Sequence, residues 1–136
     1  MLASTHESNL SKRLIARLYN DTGYVYVEEE KYIQATPWHT KALELRERFL
    51  PPDDAAVAQS LHNLGVMFLF QNRFAQAVPY LSRAAQIMAH QLGEHHPQTN
   101  ATRDLLADAY DGQGQKAKAK QVRALIAPKR EDSAND

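Results

Sequence analysis

Apolar residues recur along this chain at helical spacing, most regularly between Leu61 and Ala84. Leu61, Leu64, Gly65 and Phe68 stand at i, i+3, i+4 and i+7, which puts three apolar side chains and one bare patch of backbone on a single stripe. After the polar break Gln71-Asn72-Arg73, the residues Ala77, Leu81, Ala84 and Met88 recur at i, i+4, i+7 and i+11 and give a second helix its own stripe. Gly65 and Ala77 are small, so the two backbones are expected to approach closely. A Leu at Gly65 is then expected to overpack the contact at ~1–3 kcal/mol.

The pattern repeats with a shift of 42 residues. Moving forward, Leu64 becomes Leu106, Phe68 becomes Tyr110 and Ala77 becomes Ala119. Moving back, Gly65 becomes Gly23, Phe68 becomes Tyr26, Ala77 becomes Ala35, Pro79 becomes Pro37 and Leu92 becomes Leu50. The periodicity predicts an all-α stack of three helical hairpins, 10–28 with 31–49, 54–70 with 73–92, and 97–112 with 115–127. Asp53-Asp54 after Pro51-Pro52, and His96-Pro97 after Gly93, mark where one hairpin stops and the next begins, because Asp caps free helix amides and Pro suits a first helical position. Pro37 and Pro79 each remove one helical hydrogen bond, so slight bends are expected there. Residues 1–8 are expected to be a flexible N-terminus, 9–127 the repeat domain, and the polar tail 128–136 disordered.

The outer repeats are diluted. Thr22 stands where Leu64 does and His39 where Leu81 does, while Arg103, Lys116 and Arg123 replace Leu61, Phe74 and Leu81. Terminal repeats carry such replacements where one face has no neighbour and must be soluble. The second repeat is therefore expected to be the centre of stability.

The residues Leu61, Leu64-Gly65, Phe68, Ala77, Leu81 and Ala84 resemble the tetratricopeptide repeat, in order and in spacing. The run Leu92-Gly93-Glu94-His95-His96-Pro97 is similar to the longer variant of kinesin light chains and of the sensor arrays of bacterial signalling ATPases. The resemblance implies an α-α superhelix whose first helices line a concave groove. On the face opposite the packing stripes, the second repeat carries Gln59, His62, Asn63, Val66 and Phe70. The period maps these onto Arg17, Asn20, Asp21, Tyr24 and Glu28 in the first repeat and onto Ala101, Asp104, Leu105, Asp108 and Gly112 in the third. Four carboxylates (Asp21, Glu28, Asp104, Asp108) against Arg17 make the set acidic, so a polar or basic extended protein segment is the expected partner. Tyr24 suits a ligand contact because it can bury its ring and keep its hydroxyl wet; Phe70 is expected to pack against the neighbouring repeat.

Composition narrows the alternatives. With 16 basic and 16 acidic residues, the chain has no overall pull toward nucleic acid or an acidic membrane. Cysteine is absent, which removes disulfides and thiol chemistry, and Met1–Leu10 has no export signature, so a cytoplasmic setting is expected. No Gly-rich phosphate loop, G-x-S-x-G or H-E-x-x-H occurs, so neither catalysis nor a cofactor is expected. His90, His95 and His96 cluster across a helix end without an acidic or cysteine companion, and no metal is expected there. The basic residues Lys116, Lys118 and Lys120 spread around their helix without interleaved aromatics, which speaks against nucleic acid. The family's clamp for chaperone carboxylate tails needs Asn and basic side chains where this chain has Tyr24, Ala101 and Leu105, so that specificity is disfavoured. The expected function is a non-catalytic protein-interaction scaffold or adaptor. The alternatives are self-assembly through the open ends near Tyr19 or Ile126, and a sensor module of a bacterial signalling ATPase system.

Overall fold

The apolar stripes close into helices. The computed structural model describes the backbone of residues 2–126 and the side chains of residues 8–126. The helices are α1 (Leu2–Glu28), α2 (Tyr32–Phe49), α3 (Ala55–Phe70), α4 (Phe74–Gln91), α5 (Pro97–Gly112) and α6 (Lys116–Ile126). First helices end at Glu28, Phe70 and Gly112 and second helices begin at Tyr32, Phe74 and Lys116, so the 42-residue sequence period is also the structural one.

The turns inside the hairpins obey the same period. The N–H groups of Lys31, Arg73 and Gln115 donate to the carbonyls of Tyr26, Phe68 and Tyr110. Each turn needs one left-handed residue, filled by Glu30 (φ 60°), Asn72 (φ 60°) and Gly114 (φ 78°). Only Gly114 adopts that conformation without a Cβ penalty. Between hairpins, Asp54 accepts from the Ala56 N–H at 2.8 Å, and His96 Nδ1 accepts from the Gln98 N–H at 3.1 Å. His96 therefore does for α5 what Asp54 does for α3, with Pro97 in the first turn beside it.

Within each hairpin α1 packs on α2, α3 on α4 and α5 on α6; between hairpins α2 packs on α3 and α4 on α5. Contacts between α3 and α5 complete one wall made of first helices. The larger core cluster gathers Leu61, Leu64, Ala84 and Met88 of the second hairpin with Leu43 and Leu50 of the first. Leu64 and Leu81 are the bulkiest of the fully buried side chains. At Gly65 an added Cβ would stand 2.5 Å from the Leu81 side chain, which is the close approach expected of that glycine. Gly23 makes the same notch for His39, whose ring would be 2.6 Å from such a Cβ.

Two readings of the outer parts change. The buried Arg103 is not a solubilising replacement for Leu61. Its Nη1 donates to the Glu94 carbonyl at 2.6 Å and its Nη2 pairs with Glu94 Oε2 at 2.5 Å, tying α5 to the preceding loop. Helix α1 begins at Leu2, well before residue 10, because no Gly or Pro interrupts the chain ahead of Gly23. The tail 128–136 lies outside the described residues. Among the described residues no helix is long and apolar enough to cross a membrane.

Candidate functional site

The wall of first helices encloses a hollow of about 560 Å³ centred on α3. From α3 it is lined by Gln59, His62, Asn63, Val66 and Met67, because residues spaced by three and four share a helix face. Tyr24 and Val27 of α1 close one side, and Gln98, Ala101 and Thr102 of α5 close the other. Met88 of α4, Leu92 just past its end and His39 of α2 reach it from behind.

Two hydrogen bonds hold the three first helices together across this hollow. The Tyr24 hydroxyl donates to Asn63 Oδ1 at 3.1 Å, linking α1 to α3. His62 Nδ1 lies 2.9 Å from Thr102 Oγ1, linking α3 to α5. The Thr102 hydroxyl already donates to the Gln98 carbonyl at 2.9 Å, so it accepts from His62, and Nδ1 carries the proton. That tautomer leaves His62 Nε2 as an acceptor. The Asn63 side chain is buried and its Nδ2, an N–H donor, has no protein partner. Asn63 thus keeps a spare N–H buried in the wall of the hollow, next to an imidazole that presents an acceptor.

Behind this pair lies a buried polar plug. His39 is wholly buried, its Nδ1 is 3.0 Å from Asn20 Oδ1, and its ring meets Tyr24 edge-on at 5.3 Å between centroids. A carboxamide oxygen can only accept, so Nδ1 is protonated and Nε2 carries the lone pair, without a protein partner. Burial, reinforced by the nearby Arg46 guanidinium, pushes the His39 pKa down to about 4. His62 is also lowered by burial. Both rings are neutral at physiological pH, and among the described residues no carboxylate, lysine or arginine lines the hollow.

Of the residues expected in the groove, Tyr24, Gln59, His62, Asn63 and Val66 meet around the hollow, together with Ala101. The remainder do not. Asn20 turns inward to His39 and is buried, because α1 faces α2 at that position. Phe70 packs on Tyr32 of the preceding hairpin, with ring centroids 5.0 Å apart, and stays half exposed. Asp108 is held by Arg123 of α6 at 3.0 Å, so its charge is directed into its own hairpin. Arg17, Asp21, Glu28 and Asp104 are exposed but line no part of the hollow. The expectation of an acidic groove therefore does not describe the hollow, whose lining is amide, imidazole and apolar. Sequence reasoning missed Val27, His39, Ala55, Ala56, Met67, Met88, Leu92, Gln98 and Thr102; the period maps Val27 onto Leu69 and Met67 onto Val25, so it does not bring these two together, and Met88 comes from a helix assigned wholly to packing. Among the described residues no group of three His, Cys, Asp or Glu side chains is arranged to hold a metal ion.

A family model described as the tetratricopeptide repeat matches residues 14–88. Among curated proteins, the nuclear autoantigenic sperm protein of Homo sapiens is 24% identical over 86 residues, covering 63% of this chain and 11% of that protein. Protein HGV2 of Halocynthia roretzi is 24% identical over 82 residues, covering 60% of this chain and 16% of that protein. This chain thus spans a small part of the length of the curated relatives it matches. Among solved structures, the tetratricopeptide domain of Arabidopsis FLU superposes with a TM-score of 0.72 at 20% identity, over 82% of this chain and 90% of that one. A Podosopora anserina putative kinesin light chain with nearly identical repeats superposes with a TM-score of 0.71 at 21% identity, over 82% of this chain and 52% of that one. Both likenesses concern the fold.

Proposed function

The chain belongs to the tetratricopeptide repeat family, and we propose that it is a non-catalytic scaffold that holds an extended segment of another protein in the hollow along α3. Tetratricopeptide domains generally bind proteins, and the observation that carries the narrower reading is the unpaired Asn63 Nδ2 beside His62 Nε2. An extended segment carries an N–H for the second and a carbonyl for the first, which a rotation of the buried Asn63 side chain toward the hollow would bring within reach, relieving an unpaired donor that costs ~1–3 kcal/mol. Val66, Met67, Met88 and Leu92 then give one apolar side chain a place to sit.

Charge enters outside the hollow. Of the exposed groove positions outside the hollow, Asp21, Glu28 and Asp104 outnumber Arg17, which favours a segment uncharged at its centre and basic in its flanks. Because the helices are already packed, the scaffold loses little freedom on binding and the segment bears most of the ordering cost. The test is a displayed library of random peptides selected on the protein, followed by titration of the selected peptides against Asn63→Ala and Tyr24→Ala. Selection of peptides with an apolar centre and basic flanks, weakened at least about tenfold by Asn63→Ala with helicity intact, is the expected result. Peptides that bind both variants as well as the parent would remove the hollow as the site.

A further inference from the structure

Helix α1 carries an apolar stripe that none of the described residues covers. Leu14, Leu18 and Val25 recur at i, i+4 and i+11 with Leu10 one turn earlier, and they are 52%, 62%, 58% and 60% exposed. The opposite face of the same helix, marked by Ala16 and Gly23, is buried against α2. Tyr19, near which an open end was expected, is engaged inside its own hairpin, with its ring centroid 6.1 Å from that of Trp38. The free surface is therefore the Leu10 to Val25 stripe.

The repeat period says what this stripe is not shaped for. Leu18 corresponds to Ser60 and Thr102, and those small residues receive a long side chain from the preceding hairpin. Arg46 Nη1 reaches Ser60 Oγ at 2.9 Å, and Met88 Sδ, one period on, reaches Thr102 Oγ1 at 3.2 Å. On α1 the same place is filled by leucine, and Leu14 likewise stands where α3 has Ala56. A long side chain arriving there as Arg46 and Met88 do would meet a Leu. Leucines at successive turns instead suit the side-by-side packing of two helices.

Two more features select the partner. Shifting Ala55 back by the period gives Arg13, so α1 runs from Leu2 to Lys12 beyond the point where α3 and α5 begin. A few turns of helix without packing are marginal in water. In addition, Asp21 holds the i+7 place within the stripe and Arg17 stands one turn before it at the edge, with opposite charges.

We propose that α1 packs antiparallel against α1 of a second copy of this chain, about a two-fold axis that crosses the helix near Tyr19. In that register Leu14 lies against Val25 of the other copy and the two Leu18 side chains meet near the axis. Arg17 of each copy reaches Asp21 of the other, as a two-fold contact requires. The projecting start of each α1 then runs along the far end of its partner's hairpin, where Ile33 is 71% exposed. The contact uses none of the hollow's lining residues; it shares Arg17 and Asp21 with the charged flanks proposed for segment binding, and self-association measured without added peptide reads it apart from that binding.

Sedimentation velocity across a dilution series from about 1 to 200 micromolar reads the assembly directly. A concentration-dependent dimer is expected, and Leu14→Glu with Leu18→Glu is expected to weaken it at least about 30-fold, since both positions are exposed in the monomer and its circular dichroism should not change. Arg17→Asp and Asp21→Arg each place like charges across the axis and weaken self-association, while mixing the two variants restores a dimer. A monomer at every concentration, a dimer indifferent to the Leu14 and Leu18 changes, or charge variants that fail to complement on mixing would overturn the proposal.

Discussion

The first and second hairpins fill one notch in two ways. Gly65 of the second is plugged by Leu81, an apolar side chain with no polar demand, whereas Gly23 of the first is plugged by His39, which needs Asn20 as an acceptor and keeps Nε2 unpaired. The junctions differ in the same sense. Arg46 enters α3 by donating from Nη1 to the Ala56 carbonyl at 3.1 Å, Gln59 Oε1 at 3.2 Å and Ser60 Oγ at 2.9 Å, while the corresponding Met88 brings α5 an uncharged sulfur, 3.2 Å from Thr102 Oγ1. The backbone period accepts either chemistry, because the notch fixes a size and a direction and leaves polarity to the surroundings. What polarity changes is the response to pH and to substitution.

The largest expected effect breaks the apolar plug. Leu81→Ala empties a fully buried site and is expected to lower unfolding free energy by ~2–5 kcal/mol in urea titrations. Next comes acid. Because the folded His39 pKa is about 4 against an ordinary 6.5, the unfolded chain binds more protons between those values, so stability falls as pH falls through that window. The loss attributable to this ring is on the order of 3 kcal/mol by pH 4. His39→Leu, which copies the second hairpin, is expected to flatten that part of the stability profile, leaving the slope due to His62, whose pKa is lowered by burial in the same sense. Chemical denaturation repeated at half-unit pH steps measures both curves.

A smaller contrast concerns the junction. Arg46→Ala leaves the Ser60 and Gln59 acceptors without their donor and is expected to destabilise by ~1–3 kcal/mol. Arg46→Met, which copies Met88, should fall within about 1.5 kcal/mol of the parent or above it, since exchanging a buried charge for a packed apolar chain is often neutral. Comparable losses for the two variants would mean that the guanidinium contacts are not what joins the hairpins. Smallest is the turn. Glu30→Gly, copying Gly114, removes the left-handed Cβ penalty and is expected to stabilise by ~1 kcal/mol, read as a shift in thermal midpoint.

Much of the architecture could be read directly from residue types, because helix stripes, caps and a strict 42-residue shift are local or periodic signals. Leu61, Leu64, Leu81 and Ala84 sit in the core for the same reason that they stand at i, i+3 and i+4 spacings. The site was only partly visible. The six lining residues that the sequence identified lie on the open face of α1, α3 and α5, where phase along a helix decides exposure. Asn20 shares that phase but is drawn inward by His39, and Asp108 by Arg123, and both partners stand on other helices.

The sequence by itself determined the helices, their pairing and the period, since each depends on residues a few positions apart or on one repeated distance. Only the tertiary structure decided that the hollow is uncharged, that Asn63 keeps a spare donor, that Arg46 and Arg103 are buried, and that the α1 stripe is left bare. Those facts depend on which side chains meet across helices. A hydrogen bond or a charge is satisfied by a neighbour in space, and the order of residues along the chain does not name that neighbour.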